Sequence, residues 1–383
     1  MQNRLFELIN LFESEHIDVE AICCDYGPLN KALLNRLGIT AEICLGATNS
    51  LNIPNYKIVN CFSNPFKINS TIKVFLDFSH IFKRLRGQFE RTDFIVHESV
   101  RTRYIENYQL SPVAKECSFH WIRLLHHREK QQCEENGAMM SLTDLNYADI
   151  WPSGFQRMRV NNSSKIFSHT VGAALIAYRD KLPEFANSHL TAIFVSETAS
   201  WFSTVNNYHP DKALTPENLI LFKNFKQTIK NFAHLIIRGK FVKTSYPLDY
   251  PIGYHLPKSA IKPIQSSIAI STASLDIIAT ELNKQKAPQF FSCNTTQDQT
   301  ESLFGQLRAE GFGNPTPLRV LQLLKARILN FRNTTNKKFN FFENSDSTML
   351  LNNYSKESQY VNIFLLKYVI YFYIYIRFIQ YIH

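Results

Sequence analysis

Apolar and polar positions follow two different periods along this chain, and the change of period divides it. Leu5, Leu8, Ile9 and Phe12 recur on one face of a helix directly after Met1. The run Asp18-Val-Glu-Ala-Ile-Cys-Cys-Asp25 turns apolar towards its end and meets Gly27 and Pro28, which reads as a strand closing on a turn. Leu29, Leu33, Leu34 and Leu37 return to helical spacing, with Gly38 placed to stop the helix. Ile58–Phe62 and Ile72–Asp77 read as two more strands. Ser79 is then placed to cap a helix carrying Lys83, Arg84 and Arg86. Strand, helix, strand, strand, helix predicts an α/β unit.

From residue 92 to about 284 the helical period dominates, in His120–Lys130, Lys165–Tyr178, Ala192–Phe202, Leu219–Phe232 and Ala273–Leu282. Breaks fall at Pro152, Pro210, Pro247, Pro251 and Pro257. The pattern predicts a discontinuous α/β domain interrupted by a large, mostly α-helical insertion. The expected boundaries are 1–91 for the first part, 92–285 for the insertion, 286–330 for the return and 331–383 for an atypical tail. Within that tail Val361–Ile382 is rich in Ile, Phe, Tyr and Leu and long enough to span a bilayer. Lys367 and Arg377 would each cost a few kcal/mol there, so a membrane anchor is disfavoured.

Composition narrows the partners. The chain is 45% apolar and 19% charged, a globular balance. Its 42 Lys and Arg against 32 Asp and Glu leave a net charge of +10, which suits a polyanion such as nucleic acid and equally a solvated basic face. Seven irregularly spaced cysteines argue against a disulfide framework and for a reducing compartment. A helix that starts at once after Met1 hints that something upstream is missing.

Three groups of residues could carry chemistry. Asp25 ends a strand, where α/β folds commonly place reactive carboxylates, although position alone favours an Asp that merely opens a turn. Asp298 and Glu301 share one face of a helix; taken alone they read as acids complementing its dipole. Together, a strand-end Asp and a distant helical Glu suit two-metal phosphodiester chemistry, in which carboxylates from separate elements converge on Mg2+. Cys117, His120, His126, His127 and Cys133 invite a zinc test, but their spacing matches no standard finger. No Walker loop, Rossmann glycine pattern or nucleophile elbow is present.

With these residues in place, the chain resembles the P-element transposase family, which includes the THAP-domain transposases. Ala21-Ile-Cys-Cys-Asp25-Tyr-Gly-Pro-Leu-Asn30 resembles the family's strand ending in Asp-x-Gly-x-x-Asn. Phe75-Leu-Asp77-Phe-Ser-His80-Ile-Phe-Lys83-Arg-Leu-Arg86 resembles its Phe-Asp-Pro-Pro-His segment. Ile150–Val160 with Ile166–Leu175 resembles the helical insertion, and Asp298-x-x-Glu301-Ser-Leu-Phe-Gly-x-x-Arg308 the last catalytic segment. The match covers roughly residues 1–330, with the last segment the most specific.

The resemblance implies an RNase H-like core, incomplete here, interrupted by a GTP-binding helical insertion and performing Mg2+-dependent DNA cleavage and joining. Asp25 would be the second metal-binding acid and Glu301 the third, with Asp77 the runner-up for Asp25. The first acid, on the opening strand, would lie before Met1, so the chain is expected to be an N-terminally truncated, inactive or impaired form. The zinc module that reads DNA in the family is likewise missing. Val160, Ser168, Asn206 and Asp298 match nucleotide-binding positions. Ser203 stands where the family has an acid that can pair with a guanine edge, and losing such an acceptor counts against GTP. DNA is the implied partner, the nucleus the implied location, and a homo-oligomer the implied active form. The rival readings are a non-catalytic nucleic-acid- or nucleotide-binding derivative using the basic helix at Lys83–Arg86, and a membrane-tethered form.

Overall fold

The computed structural model describes residues 1–284 and Ser292, except 17, 44–50, 54, 109–114, 138–141, 143, 155, 208, 210–213, 216–217 and 247–261. Asp298, Glu301 and the tail lie outside the described residues.

The first part is α/β. Helix α1 (Gln2–Ser14) buries Leu5 and Ile9, two of the positions that its periodicity marks. Strand β1 (Ala21–Cys24) leads into α2 (Pro28–Arg36), which has Pro28 in its first turn and ends before Gly38 at φ 76°. Strands β2 (Thr40–Ile43) and β3 (Tyr56–Val59) form an antiparallel pair. Strands β4 (Cys61–Ser63) and β5 (Thr71–Leu76) form another, and β5 pairs in parallel with β1 in the order β1-β5-β4.

The single strand expected at Ile58–Phe62 is therefore two strands belonging to different sheets. The chain changes sheet at Asn60, which is buried; its carbonyl accepts from Val74 N–H at 2.8 Å and its amide donates to Ser274 Oγ at 3.1 Å. Satisfying the backbone carbonyl and the side-chain Nδ2 of this buried residue lets the chain leave one ladder for the next.

Helix α3 (Phe78–Phe89) starts one residue after β5. Its N-cap is Asp77 rather than Ser79, because the Asp77 carboxylate accepts from His80 N–H while Ser79 is buried inside the first turn. Phe78, Phe82, Leu85 and Phe89 form one apolar stripe on this helix and are all buried.

The block expected to be helical also holds a three-stranded antiparallel sheet. Strand β6 (Thr92–Ile95) lies between β7 (Glu116–Cys117) and β8 (Lys240–Lys243). Such short strands, separated by long helices, leave no readable alternation. Around them are α4 (Glu98–Tyr108), α5 (His120–Asn136), α6 (Tyr147–Ile150), α7 (Val160–Ile166), α8 (His169–Lys181), α9 (His189–Val205) and α10 (Leu219–Arg238). The helix expected over Lys165–Tyr178 is broken at Ser168, whose extended backbone and side chain cap α8. Helices α8 and α9 cross closely at Gly172, where an added Cβ would lie 2.2 Å from Ser196 Oγ and 3.1 Å from the Ala192 carbonyl oxygen.

Core packing joins the two kinds of structure. Phe82 of α3 stacks on Phe202 of α9, with centroids 3.8 Å apart, and Phe89 packs against Phe119, Phe167 and Phe194. Helix α11 (Lys262–Lys284) returns from the block to pack on β5, β2 and β3. Its Ser271 hydroxyl accepts from Leu76 N–H at 2.8 Å, and Ser274 donates to Val74 O at 2.5 Å. These hydroxyls occupy β5 backbone groups beyond the short ladder with β4.

Candidate functional site

Parallel pairing puts Cys24 opposite Leu76, so Asp25 and Asp77 each follow the last residue of neighbouring strands. Asp77 N–H donates to Cys24 O at 3.0 Å, which continues the ladder by one bond. Two carboxylates that are 52 positions apart in sequence therefore leave the sheet at one end. Carboxyl ends of parallel strands are where α/β sheets usually place their chemistry.

The two acids have different surroundings. Asp25 is half-buried, and its Oδ1 accepts from Gly27 N–H at 3.1 Å and from Asn30 Nδ2 at 2.6 Å. This accounts physically for the Asp25-x-Gly27-x-x-Asn30 spacing. Gly27 caps α2 within 3.1 Å of the carboxylate as judged from an added Cβ, Pro28 opens the helix, and Asn30 reaches back from its first turn. The signal that points to Asn30 in the sequence is its spacing from Asp25 and Gly27. Asp77 is 1% exposed and faces inward, with Oδ2 accepting from His80 N–H at 3.2 Å and standing 2.5 Å from His80 Nδ1.

Both carboxylates act on what lies between them. Burial pushes the Cys24 thiol well up, and the charges of Asp25 and Asp77 push it further the same way. Cys24 is thus an inert, protonated thiol here rather than a nucleophile. Burial also raises the Tyr26 hydroxyl, helped by Cys24 and opposed by Arg84. Arg84 donates to Tyr26 O at 3.1 Å, and Lys31 lies over the Tyr26 ring at 5.8 Å. A cationic rim thus borders the Asp25 turn.

Arg86 does not belong to that rim, contrary to its expected place on a basic helix surface. It is 1% exposed, donates to Asp149 O at 2.6 Å and lies 3.6 Å from Glu90 Oε2. Burial lowers its guanidinium from the ordinary range and raises the Glu90 carboxyl, even with Arg86, Arg157, Arg123 and Arg91 around that acid. The spacing from Phe82 and Phe89 places residue 86 on the apolar stripe, in spite of its charge.

The nucleotide-binding positions are only partly gathered. His169 Nε2 lies 3.3 Å from Ser200 Oγ, so the Ser168 end of α8 meets the last turns of α9, which Asn206 closes. Val160 opens α7, about 10 Å from its other end by helical rise. The Ser168 hydroxyl accepts from Val171 N–H and donates to Lys165 O, both at 3.2 Å, so it is engaged as a cap. Ser203 Oγ donates to Ser200 O at 2.9 Å. Asn206 Oδ1 is buried with no hydrogen-bond partner among the described residues. That oxygen suits a ligand donor, but Ser168 and Ser203 do not supply what a guanine edge needs.

Among the described residues, no group of three or more His, Cys, Asp and Glu is placed to hold a metal ion. The zinc alternative is accordingly not assembled: Cys117 is buried and bonded to Leu190 O, while His120 stacks on Tyr246. For Mg2+, the hard oxygen donors of Asp25 fit, whereas Asp77 is turned to His80. No described helix is long and apolar enough to cross a membrane, and Val361–Ile382 lies outside the described residues.

No protein-family model matches the chain, and no curated protein matches it. Its fold is similar to that of a solved chain from the Drosophila P element transposase strand transfer complex, with a TM-score of 0.62 and 19% identity over 88% of this chain. The chain spans 65% of that neighbour's length. At this identity the similarity is one of fold, a mixed α/β arrangement shared with a transposase.

Proposed function

We propose that this chain is a P-element-type transposase chain acting on DNA, with Asp25 as one of its metal-binding acids. The observation that carries the reading is the joint exit of Asp25 and Asp77 from β1 and β5, in a fold similar to that of the Drosophila transposase. On this reading β1, β5 and β4 belong to an RNase H-like core, residues 92–285 are its insertion, and Glu301 is a further metal-binding acid. A homo-oligomer in the nucleus is the corresponding working form.

Mg2+ bound at Asp25 and Glu301 would activate the attacking oxygen and stabilise the leaving one. This chain's own residues act around that centre. Gly27 and Asn30 hold the Asp25 carboxylate in one direction, while Arg84 and Lys31 draw the phosphate backbone towards the turn. Asp77 serves the helix cap and His80 rather than the metal. The alternative reading is a non-catalytic DNA-binding derivative of a transposase, in which Arg84 and Lys31 hold phosphate without cleavage. The residues at α7–α9 do not fit a guanine nucleotide, and no step runs through GTP.

The test is strand cleavage by the purified full chain in Mg2+ or Mn2+. Cleavage that disappears with Asp25→Asn and with Glu301→Ala is expected. Cleavage indifferent to Asp25→Asn would contradict the reading, as would DNA binding that does not weaken with salt.

A further inference from the structure

Away from the Asp25 edge, the meeting of α4 and α10 gathers a group of polar residues that the reading above does not use. Ser99 and Arg103 share a face of α4, and Asn231, His234 and Arg238 share a face of α10. Two bonds hold these faces together: Arg238 Nη1 donates to Ser99 Oγ at 2.7 Å, and Arg103 Nη1 donates to Asn231 Oδ1 at 3.3 Å. His97, just before α4, joins through Nδ1, which accepts from Ser99 N–H at 3.2 Å and stands 2.9 Å from Ser99 Oγ. A backbone donor on Nδ1 leaves the neutral ring's own proton on Nε2. His97 is exposed, and Arg103, His234 and Arg238 are half-buried.

This group is rich in donors and poor in acceptors. Ser99 Oγ already takes Arg238, and Asn231 Oδ1 already takes both Arg103 and Gln227. Among the described residues no carboxylate forms an ion pair with His97, Arg103, His234 or Arg238, although Glu98 and Glu106 lie on α4 itself. Glu197 of α9 acts on Arg103, but burial raises its carboxyl even with Arg103 and His169 nearby, which makes it a weak counter-charge. Burial lowers the His234 imidazole, and Arg238, Arg103 and His97 lower it further, so the four bases face one another. An anion placed between them would relieve that repulsion and accept from their donors.

We propose that His97, Arg103, His234 and Arg238 form a second phosphate-binding site, between α4 and α10, that takes the backbone of bound DNA. This rests on the DNA reading above and adds a contact that shares no residue with the Asp25 turn. Arg103 and Arg238 supply fixed charge, and His97 Nε2–H supplies a further donor. His234 gains charge as a phosphate arrives, while Ser99 positions Arg238 and His97. Contacts of this kind hold a duplex in place without reading its sequence.

The experiment measures the affinity of the full chain for one DNA duplex across a range of salt, in chelator so that no metal centre contributes. Arg103→Gln and Arg238→Gln are each expected to weaken binding about three- to tenfold and to lower the slope of log affinity against log salt by about one. Ser99→Glu sets a carboxylate into the group from an exposed position, and should weaken binding about tenfold with no fall in melting temperature. Lys130→Gln, which removes an exposed charge from α5, controls for net charge and should leave the slope as it is. A wild type whose affinity ignores salt would bring down the DNA reading and this site with it. A steep wild-type slope that the three site variants change no more than Lys130→Gln does would remove the site and leave the DNA reading standing.

Discussion

Asn30 donates from Nδ2 to Asp25 Oδ1 across 2.6 Å, and through this bond the first turn of α2 holds the carboxylate at the end of β1. Asn30 is itself buried, so the bond is shielded from competing water. Asn30→Ala is expected to destabilise the chain by about 1–2 kcal/mol in urea denaturation. Asn30→Asp should cost more, because it sets two carboxylates within contact distance, and it should raise their shared titration. Equal stability of Asn30→Asp and the wild type at neutral pH would contradict this account of Asp25.

The pair Arg86 and Glu90 makes a different prediction. Both are buried on α3 and burial disfavours the charge of each. Removing one partner, as in Glu90→Ala, is expected to cost about 3–5 kcal/mol, because the other charge is left behind. Replacing both with Met and Leu should cost far less than the sum of the single changes. A double-mutant cycle with additive losses would show that the pair is not coupled.

Acid should destabilise this fold through its histidines. Burial, reinforced by Arg179, lowers His189 to about 4, and Arg179 directly contacts its ring. The folded value lies below the ordinary one of 6.5, so the unfolded chain takes up protons first. The stabilising term is complete above pH 6.5 and is lost as the pH falls towards about 4. His120, His126 and His234 are lowered in the same direction, again chiefly by burial. Denaturation midpoints measured across this window should fall steadily, and His189→Asn should flatten the slope without abolishing it.

Gly172 tests the close crossing of α8 and α9. An added methyl would meet Ser196 Oγ at 2.2 Å and the Ala192 carbonyl at 3.1 Å. Gly172→Ala is expected to destabilise by about 1–3 kcal/mol through overpacking. Adding Ser196→Ala should recover part of that loss, since the hydroxyl is the nearest obstacle. Recovery of all of it would mean that the backbone contact is harmless.

Much of the α/β unit was legible because its signals are local. The apolar end of β1, the Gly27–Pro28 turn and the Asp25-x-Gly27-x-x-Asn30 spacing each have a short-range cause. The pairing of β1 with β5 was not legible, since parallel partners are set by long-range packing and the intervening helix does not name them. Nor was the change of sheet at Asn60, because Ile58–Phe62 reads as one apolar run until Ser274 is seen to hold the Asn60 amide. The burial of Arg86 follows from its position between Phe82 and Phe89, against which its charge points to the surface. The small sheet β7-β6-β8 was hidden by strands too short to alternate.

The measurement that bears most directly on the proposed role of Asp25 is the affinity of the full chain for duplex DNA with Ca2+ and with chelator, in the wild type and Asp25→Asn. Substituting the exposed rim residue Arg84→Gln serves as a control for charge alone. The wild type is expected to bind about tenfold more tightly with Ca2+, and Asp25→Asn to lose that dependence while keeping its chelator-condition affinity. Arg84→Gln should weaken binding in both conditions alike. An affinity that ignores Ca2+ in the wild type, or a Ca2+ dependence that survives Asp25→Asn unchanged, would contradict a metal-assisted DNA site at the end of β1.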